Sequence, residues 1–89
     1  MYKKISIIIP VYNEKNTISQ CIDNVVNSDT ENIEKEIIVS DNNSNDGTKE
    51  ILEKMNYPNL KILYRSQNNG KGANLINALN SATGDIIIF

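Results

Sequence analysis

The chain has 89 residues, carries 9 Lys and Arg against 11 Asp and Glu for a formal charge of −2, and contains no histidine. That length supports one small core, so residues 1–89 are read as one domain. The acidic balance argues against gripping long nucleic acid, and without histidine neither a Ser-His or Cys-His pair nor a histidine metal site can be built. Cys21 stands alone, which excludes an internal disulfide and suits a reducing, cytoplasmic setting.

In chain order, a basic start is followed by Ile5-Ser6-Ile7-Ile8-Ile9, an apolar run too short and too interrupted by Ser6 and Pro10 for a signal or a membrane span. Pro10 and Asn13 end this strand, and Asn13 or Asn16 can cap a first helix. Its apolar stripe is Ile18, Cys21, Ile22, Val25 and Val26, spaced by threes and fours. Ile37-Ile38-Val39 forms a second strand, and Ser44 or Asp46 can cap a second helix with Ile51, Leu52 and Met55 on its inner face. Pro58 closes that region. Leu60-Lys61-Ile62-Leu63-Tyr64 gives a third strand, Gly70 and Gly72 open a third helix with a stripe of Leu75, Ile76, Leu79 and Ala82, and Ile86-Ile87-Ile88-Phe89 is the last strand. Short, β-branched, non-alternating runs suit parallel strands covered on both faces. The expected fold class is therefore α/β: a three-layer α/β/α half of a doubly wound, Rossmann-like fold, with a parallel four-stranded sheet in the order β-α-β-α-β-α-β.

In such a sheet the strand-to-helix junctions share one edge, where ligands bind. Three junctions carry suitable groups: Pro10-Val11-Tyr12-Asn13-Glu14, Asp41-Asn42-Asn43-Ser44-Asn45-Asp46-Gly47-Thr48, and Asn68-Asn69-Gly70-Lys71-Gly72. Tyr12 offers a flat ring for a base, or packs at the sheet end. Asp41 and Asn42 offer acceptors for base or ribose donors, and Asp41, with no helix of its own to cap, is read as a ligand contact. Lys71 offers charge to a phosphate, or is a solvated turn residue; Glu14 either contacts a ligand or answers the positive end of a helix. Asp46, Gly47 and Thr48 are read first as turn and cap residues. Neither a dinucleotide fingerprint nor a Walker-type phosphate loop is present, since the first junction lacks glycine and no lysine is followed by serine or threonine after a spaced glycine pair.

The blocks Ile5-Ser6-Ile7-Ile8-Ile9-Pro10-Val11-Tyr12-Asn13-Glu14, Glu36-Ile37-Ile38-Val39-Ser40-Asp41, Ser44-Asn45-Asp46-Gly47-Thr48, Asn69-Gly70-Lys71-Gly72-Ala73 and Gly84-Asp85-Ile86-Ile87-Ile88-Phe89 resemble, in order, the amino-terminal half of family 2 glycosyltransferases of GT-A fold. The resemblance is closest to the polyprenyl- or dolichyl-phosphate sugar transferase branch. It implies metal-dependent transfer of a sugar from a UDP- or GDP-linked donor to an acceptor. Residue by residue it implies nucleotide contacts from Pro10, Val11, Tyr12, Glu14, Asp41, Asn42 and Lys71, where Asn42 stands in place of the second carboxylate of an acidic pair. The metal, Mg2+ or Mn2+, would be held by an aspartate-x-aspartate motif beyond Phe89, and the catalytic base also lies beyond it. The chain is therefore expected to hold no catalytic and no metal-binding residue, to bind nucleotide, and to be inactive alone. The full enzyme is expected in the cytoplasm or on the cytoplasmic face of a membrane, and a self-association is expected along the apolar edge of Asp85, Ile86, Ile87, Ile88 and Phe89. A receiver-like or flavodoxin-like binding domain is the alternative.

Overall fold

The structure is a computed structural model that describes residues 4–68 and 70–88. The elements run β1 (Lys4–Val11), α1 (Ile18–Val26), β2 (Glu34–Asp41), α2 (Thr48–Glu53), β3 (Leu60–Tyr64), α3 (Lys71–Ser81) and β4 (Ile86–Ile88). All strand pairings are parallel, and the sheet order is β3-β2-β1-β4. That order separates the two folds weighed from sequence. In a flavodoxin-like or receiver-like sheet β1 lies between β2 and β3, whereas here it lies between β2 and β4.

The central strands explain their own composition. Ile37, Ile38 and Val39 are each 0% exposed, because successive side chains of β2 enter opposite cores. On one face Ile37 and Val39 pack with Val11, Ile18, Ile22 and Leu52 beneath α1 and α2; on the other, Ile38 and Ile8 meet Ala78 of α3. Each such side chain contributes about 1.5–3 kcal/mol on burial. The expected α/β/α layering is present.

The helices depart from their predicted stripes in two places. Cys21 of α1 is exposed, and so is Ile76 of α3, at 59%. The inner face of α3 is instead Asn74 and Ala78, with Leu75, Leu79 and Ala82 beside them. Asn74 is tolerated there because its amide is satisfied: its Nδ2 donates to the Ser40 carbonyl at 2.9 Å and its Oδ1 accepts from Ser40 Oγ at 2.6 Å.

Caps also differ from expectation. Neither Asn13 nor Asn16 caps α1; its N-cap is Thr17, without a side-chain cap bond. At the other end of α1 the Lys35 ammonium reaches from β2 and donates to the carbonyls of Val25, Val26 and Ser28 at 2.7–3.0 Å, placing a positive charge where the helix ends.

The amino edge of the sheet is fastened by a separate polar cluster. Ser6 is buried, donates to Glu36 Oε2 at 2.6 Å and accepts from the Gly84 N–H at 2.8 Å; Glu36 also accepts from the Thr83 N–H at 3.0 Å, with Lys4 at 3.7 Å. Burial raises the Glu36 carboxyl pKa, but these donors outweigh it and leave it below its ordinary value. Gly84 is required by space: a Cβ there would stand 2.5 Å from Ser6 Oγ and 2.7 Å from Ser6 N.

Candidate functional site

The carboxyl ends of β1 and β2 become a crevice because the helices that follow leave in different directions. The chain passes from β1 to α1 on one face, whereas α3 must cross the opposite face to carry the chain from β3 at one edge to β4 at the other. Between these layers lies a cleft of about 310 Å³. Roomier hollows exist at the amino edge, beside Lys4 and Lys61, and between α1 and α2, beside Met55 and Tyr57, but neither is lined by a residue of the three junctions.

Val11, Tyr12 and Glu14 from the first junction form one wall of the cleft, Asn42 comes from the second, and Lys71 comes from the third. Five predicted site residues are therefore brought together. Tyr12 is 44% exposed, so its ring presents a free face. Lys71 is the first residue of α3, where the backbone N–H groups of an eleven-residue helix face outward with no acidic residue in the first turn to occupy them. Glu14 serves its own loop as well: its carbonyl accepts from the N–H groups of Thr17 and Ile18, and its carboxylate accepts from Thr17 Oγ1 at 3.2 Å.

Pro10 and Asp41 lie behind the cleft instead of lining it. Pro10 is half-buried in β1, opposite Ser40. Asp41 is 0% exposed, and its carboxylate accepts from the Ser44 N–H at 3.0 Å and from Ser44 Oγ at 2.6 Å. It therefore shapes the turn after β2. Ser44 Oγ in turn accepts from the Asn13 N–H at 2.9 Å, which carries the effect into the first junction.

That link is one of a series. Asn13 and Asn45 exchange bonds, Asn45 N–H to Asn13 Oδ1 at 2.9 Å and Asn13 Nδ2 to Asn45 Oδ1 at 3.1 Å. The Glu14 N–H donates to Thr48 Oγ1 at 3.0 Å, and the Lys15 N–H donates to Asp46 Oδ2 at 3.3 Å. Asp46 meanwhile accepts from the Thr48 N–H at 3.0 Å and from its hydroxyl. The Thr48 hydroxyl bond is the largest influence on Asp46, and with the backbone donors it outweighs desolvation and holds that carboxyl below its ordinary pKa. Neither Ser44 nor Asp46 is the N-cap of α2, which is Gly47 without a side-chain cap bond; Asp46 meets the Thr48 N–H, and Ser44 serves Asp41 and Asn13. Their larger role is to hold the loop that carries Tyr12 and Glu14. Asn13 at φ 52° and Asn43 at φ 62° adopt left-handed backbone suited to asparagine.

Two residues beyond the predicted set also line the cleft, Asn68 and Asn74. Asn74 was legible in principle, since 74, 78 and 82 are spaced by four and a polar residue heads an otherwise small, apolar row. Asn68 carried no such signal, because asparagines in turns are common. Asn42 itself is 3% exposed; its Nδ2 donates to Asn68 Oδ1 at 2.8 Å and reaches the Gly70 carbonyl at 3.4 Å, while its Oδ1 is buried with no hydrogen-bond partner among the described residues. A buried acceptor left unmet costs about 1–3 kcal/mol. Asn42 thus brings to the cleft wall an amide whose acceptor capacity is unused.

No group of three or more His, Cys, Asp or Glu among the described residues is arranged to hold a metal ion. The chemistry agrees, since the Asp41 and Asp46 carboxylates already serve Ser44 and Thr48. The described residues do not fit a divalent metal. None of the described helices is long and apolar enough to cross a membrane.

Comparison with known proteins places these features in context. A family profile described as "Glycosyl transferase family 2" matches residues 6–89. The chain is 40% identical over 89 residues to a poly(ribitol-phosphate) beta-glucosyltransferase of Bacillus spizizenii, covering 97% of this chain and 14% of that protein. It is 37% identical to glycosyltransferase AglE of Haloferax volcanii, covering 96% of this chain and 29% of the relative. It is 33% identical to a GalNAc(5)-diNAcBac-PP-undecaprenol beta-1,3-glucosyltransferase of Campylobacter jejuni, covering 97% of this chain and 28% of the relative. The chain thus spans well under a third of these relatives. Among solved structures, S. aureus TarS 1-349 in complex with UDP superposes with a TM-score of 0.83 at 33% identity, covering 97% of this chain and 26% of that one. Mannosyltransferase PcManGT from Pyrobaculum calidifontis, in complex with GDP-Man and Mn2+, superposes at 0.84 with 31% identity, covering 93% of this chain and 25% of that one.

Proposed function

This chain belongs to glycosyl transferase family 2 and has the α/β layering of the GT-A fold, and from that premise we propose that its cleft binds the nucleoside diphosphate end of a sugar donor. The observation that carries the reading is the convergence of Tyr12, Asn42 and Lys71 from three junctions on one cleft, with the Asn42 Oδ1 unmet. A uracil or guanine ring presents an in-plane N–H donor that this acceptor lacks. Tyr12 supplies a face against which the ring lies, and Lys71 with the amino end of α3 supplies positive charge for the diphosphate. Glu14 and Val11 complete the nucleoside wall. Pro10 and Asp41 enter the proposal as support, Pro10 by ending β1 and Asp41 by fixing the turn from which Asn42 is presented.

The protein that carries this domain transfers the sugar from a UDP- or GDP-linked donor to an acceptor. Binding by UDP in one solved relative and by GDP-Man with Mn2+ in another supports the donor class. The metal, Mg2+ or Mn2+, is held by residues other than those described, and the 89 residues alone, as the amino-terminal part of the transferase domain, bind donor without transferring sugar. The working place is the cytoplasm or the cytoplasmic face of a membrane, supported by the free thiol of Cys21 and by a relative named for an undecaprenol-linked acceptor.

The outer edge of β4 pairs with no strand among the described residues, and Ile87 and Ile88 are 42% and 46% exposed. The 89-residue chain is proposed to self-associate there; Phe89, part of the predicted edge, lies outside the described residues. Sedimentation over a broad concentration range showing only monomer would remove this part.

Calorimetric titration with UDP, GDP and ADP tests the main reading. Binding of UDP or GDP is expected, with a loss of at least about tenfold in Lys71→Ala. Absence of binding by all three at millimolar ligand would overturn it.

A further inference from the structure

We infer, on the nucleoside reading above, that Asn68 is a positioning residue and that the Asn42 amide is a latch matched to it, so that an aspartate at position 42 weakens nucleotide binding instead of strengthening it. The polarity of the cluster is set by a backbone donor. The Gly70 backbone N–H is a donor, and it points at the side chain of Asn68 at 3.1 Å, so the Asn68 atom there is its oxygen. That same oxygen lies 2.8 Å from the Asn42 amide, and the Gly70 carbonyl, also an acceptor, lies 3.4 Å from the same Asn42 atom. The Asn42 atom facing both must therefore be nitrogen.

An aspartate placed here would set a carboxylate oxygen against two acceptors with no proton between them. Asn68 cannot answer by rotating its amide, because its NH2 would then face the Gly70 N–H. The Gly70 carbonyl is held in place as well, since it already accepts from the Asn74 N–H at 3.2 Å in the first turn of α3. Asn68 and Gly70 thus select an amide at position 42.

The latch also ties two parts of the cleft together. Asn42 holds its oxygen for the base, while its nitrogen fixes the loop that ends at Lys71, the proposed phosphate contact. Releasing it frees the start of α3 relative to the nucleoside wall. Loss of Asn68 should therefore fall more heavily on the diphosphate than on the nucleoside.

The intact protein is titrated with UDP and uridine, or with GDP and guanosine if that pair binds, in the wild type, Asn42→Asp, Asn68→Ala and the double variant. Asn42→Asp is expected to weaken the nucleoside diphosphate about tenfold in the wild-type background and about threefold or less in the Asn68→Ala background, where only the more distant Gly70 carbonyl still opposes it. Asn68 is exposed, so Asn68→Ala keeps its fold, and it is expected to lower the ratio of diphosphate to nucleoside affinity by about threefold or more. Asn42→Asp binding as tightly as wild type, equal penalties in both backgrounds, or an unchanged ratio in Asn68→Ala would overturn the latch while leaving the nucleotide reading intact. A wild-type protein that binds none of the four ligands overturns both.

Discussion

Replacing Ser44 by alanine tests whether Asp41 supports the site or meets the ligand. Ser44 is 5% exposed; its hydroxyl donates to Asp41 Oδ1 at 2.6 Å and accepts from the Asn13 N–H at 2.9 Å. Alanine leaves Asp41, at 0% exposure, with the Ser44 N–H on its other oxygen and nothing on Oδ1. An unmet buried acceptor costs about 1–3 kcal/mol, and more when it is charged. Asn13 is exposed, so water can take the place of its lost acceptor at a cost of about 0.5–1 kcal/mol. The sum is a destabilisation of about 2–4 kcal/mol, a large share of the roughly 5–15 kcal/mol by which domains are stable. Urea unfolding of the intact protein, followed by a tertiary probe, should show the midpoint move with the slope unchanged. Asn45→Ala is the control: it removes one exposed bond to Asn13 and should cost about 0.5 kcal/mol or less. If Ser44→Ala is no less stable than that control yet binds nucleoside diphosphate far more weakly, the buried role assigned to Asp41 is wrong and its carboxylate belongs to the ligand.

Gly84→Ala should destabilise by about 3 kcal/mol or prevent folding, because the added methyl meets the Ser6 backbone at 2.7 Å as well as its hydroxyl; a thermal midpoint equal to wild type would refute the packing described for β4. Lys35→Met keeps the stem but removes the ammonium from three carbonyls at the end of α1, and should cost about 1–2 kcal/mol in urea unfolding. Acid should loosen the domain in a definite direction. The Glu36 and Asp46 carboxyls both lie below their ordinary values in the folded protein, so their contribution is complete above those values and is lost as the pH falls through 4.5 and then 3.8 toward the lower folded values. Glu36→Gln should flatten the part of that pH profile due to Glu36, and an unchanged profile would show that its bonds to Ser6 and Thr83 do not distinguish the charged form.

The sequence alone determined the strands, their parallel class and the edge on which ligand chemistry gathers. Ile37, Ile38 and Val39 suit a strand covered on both faces, being short, β-branched and non-alternating, and Gly70 before Lys71 marks where α3 begins. Tyr12, Asn42 and Lys71 stand out by residue type at strand ends, and the structure brings them around one cleft. What pattern could not decide was partnership. Asp41 and Asn42 are neighbours with similar acceptors, yet one turns inward to Ser44 and the other lines the cleft, because alternate side chains at the end of a strand point to opposite sides. Ile76 matched the apolar spacing of α3 and is nevertheless exposed, since Asn74 found a full set of partners on Ser40 and took the inner position. The bonds of residues 44–48 to residues 13–15, and of Asn42 to Asn68, join segments about 26 to 34 positions apart. Hydrogen bonds of that separation leave no period in the sequence. They exist only once the sheet has set the order β3-β2-β1-β4 and brought the loops together.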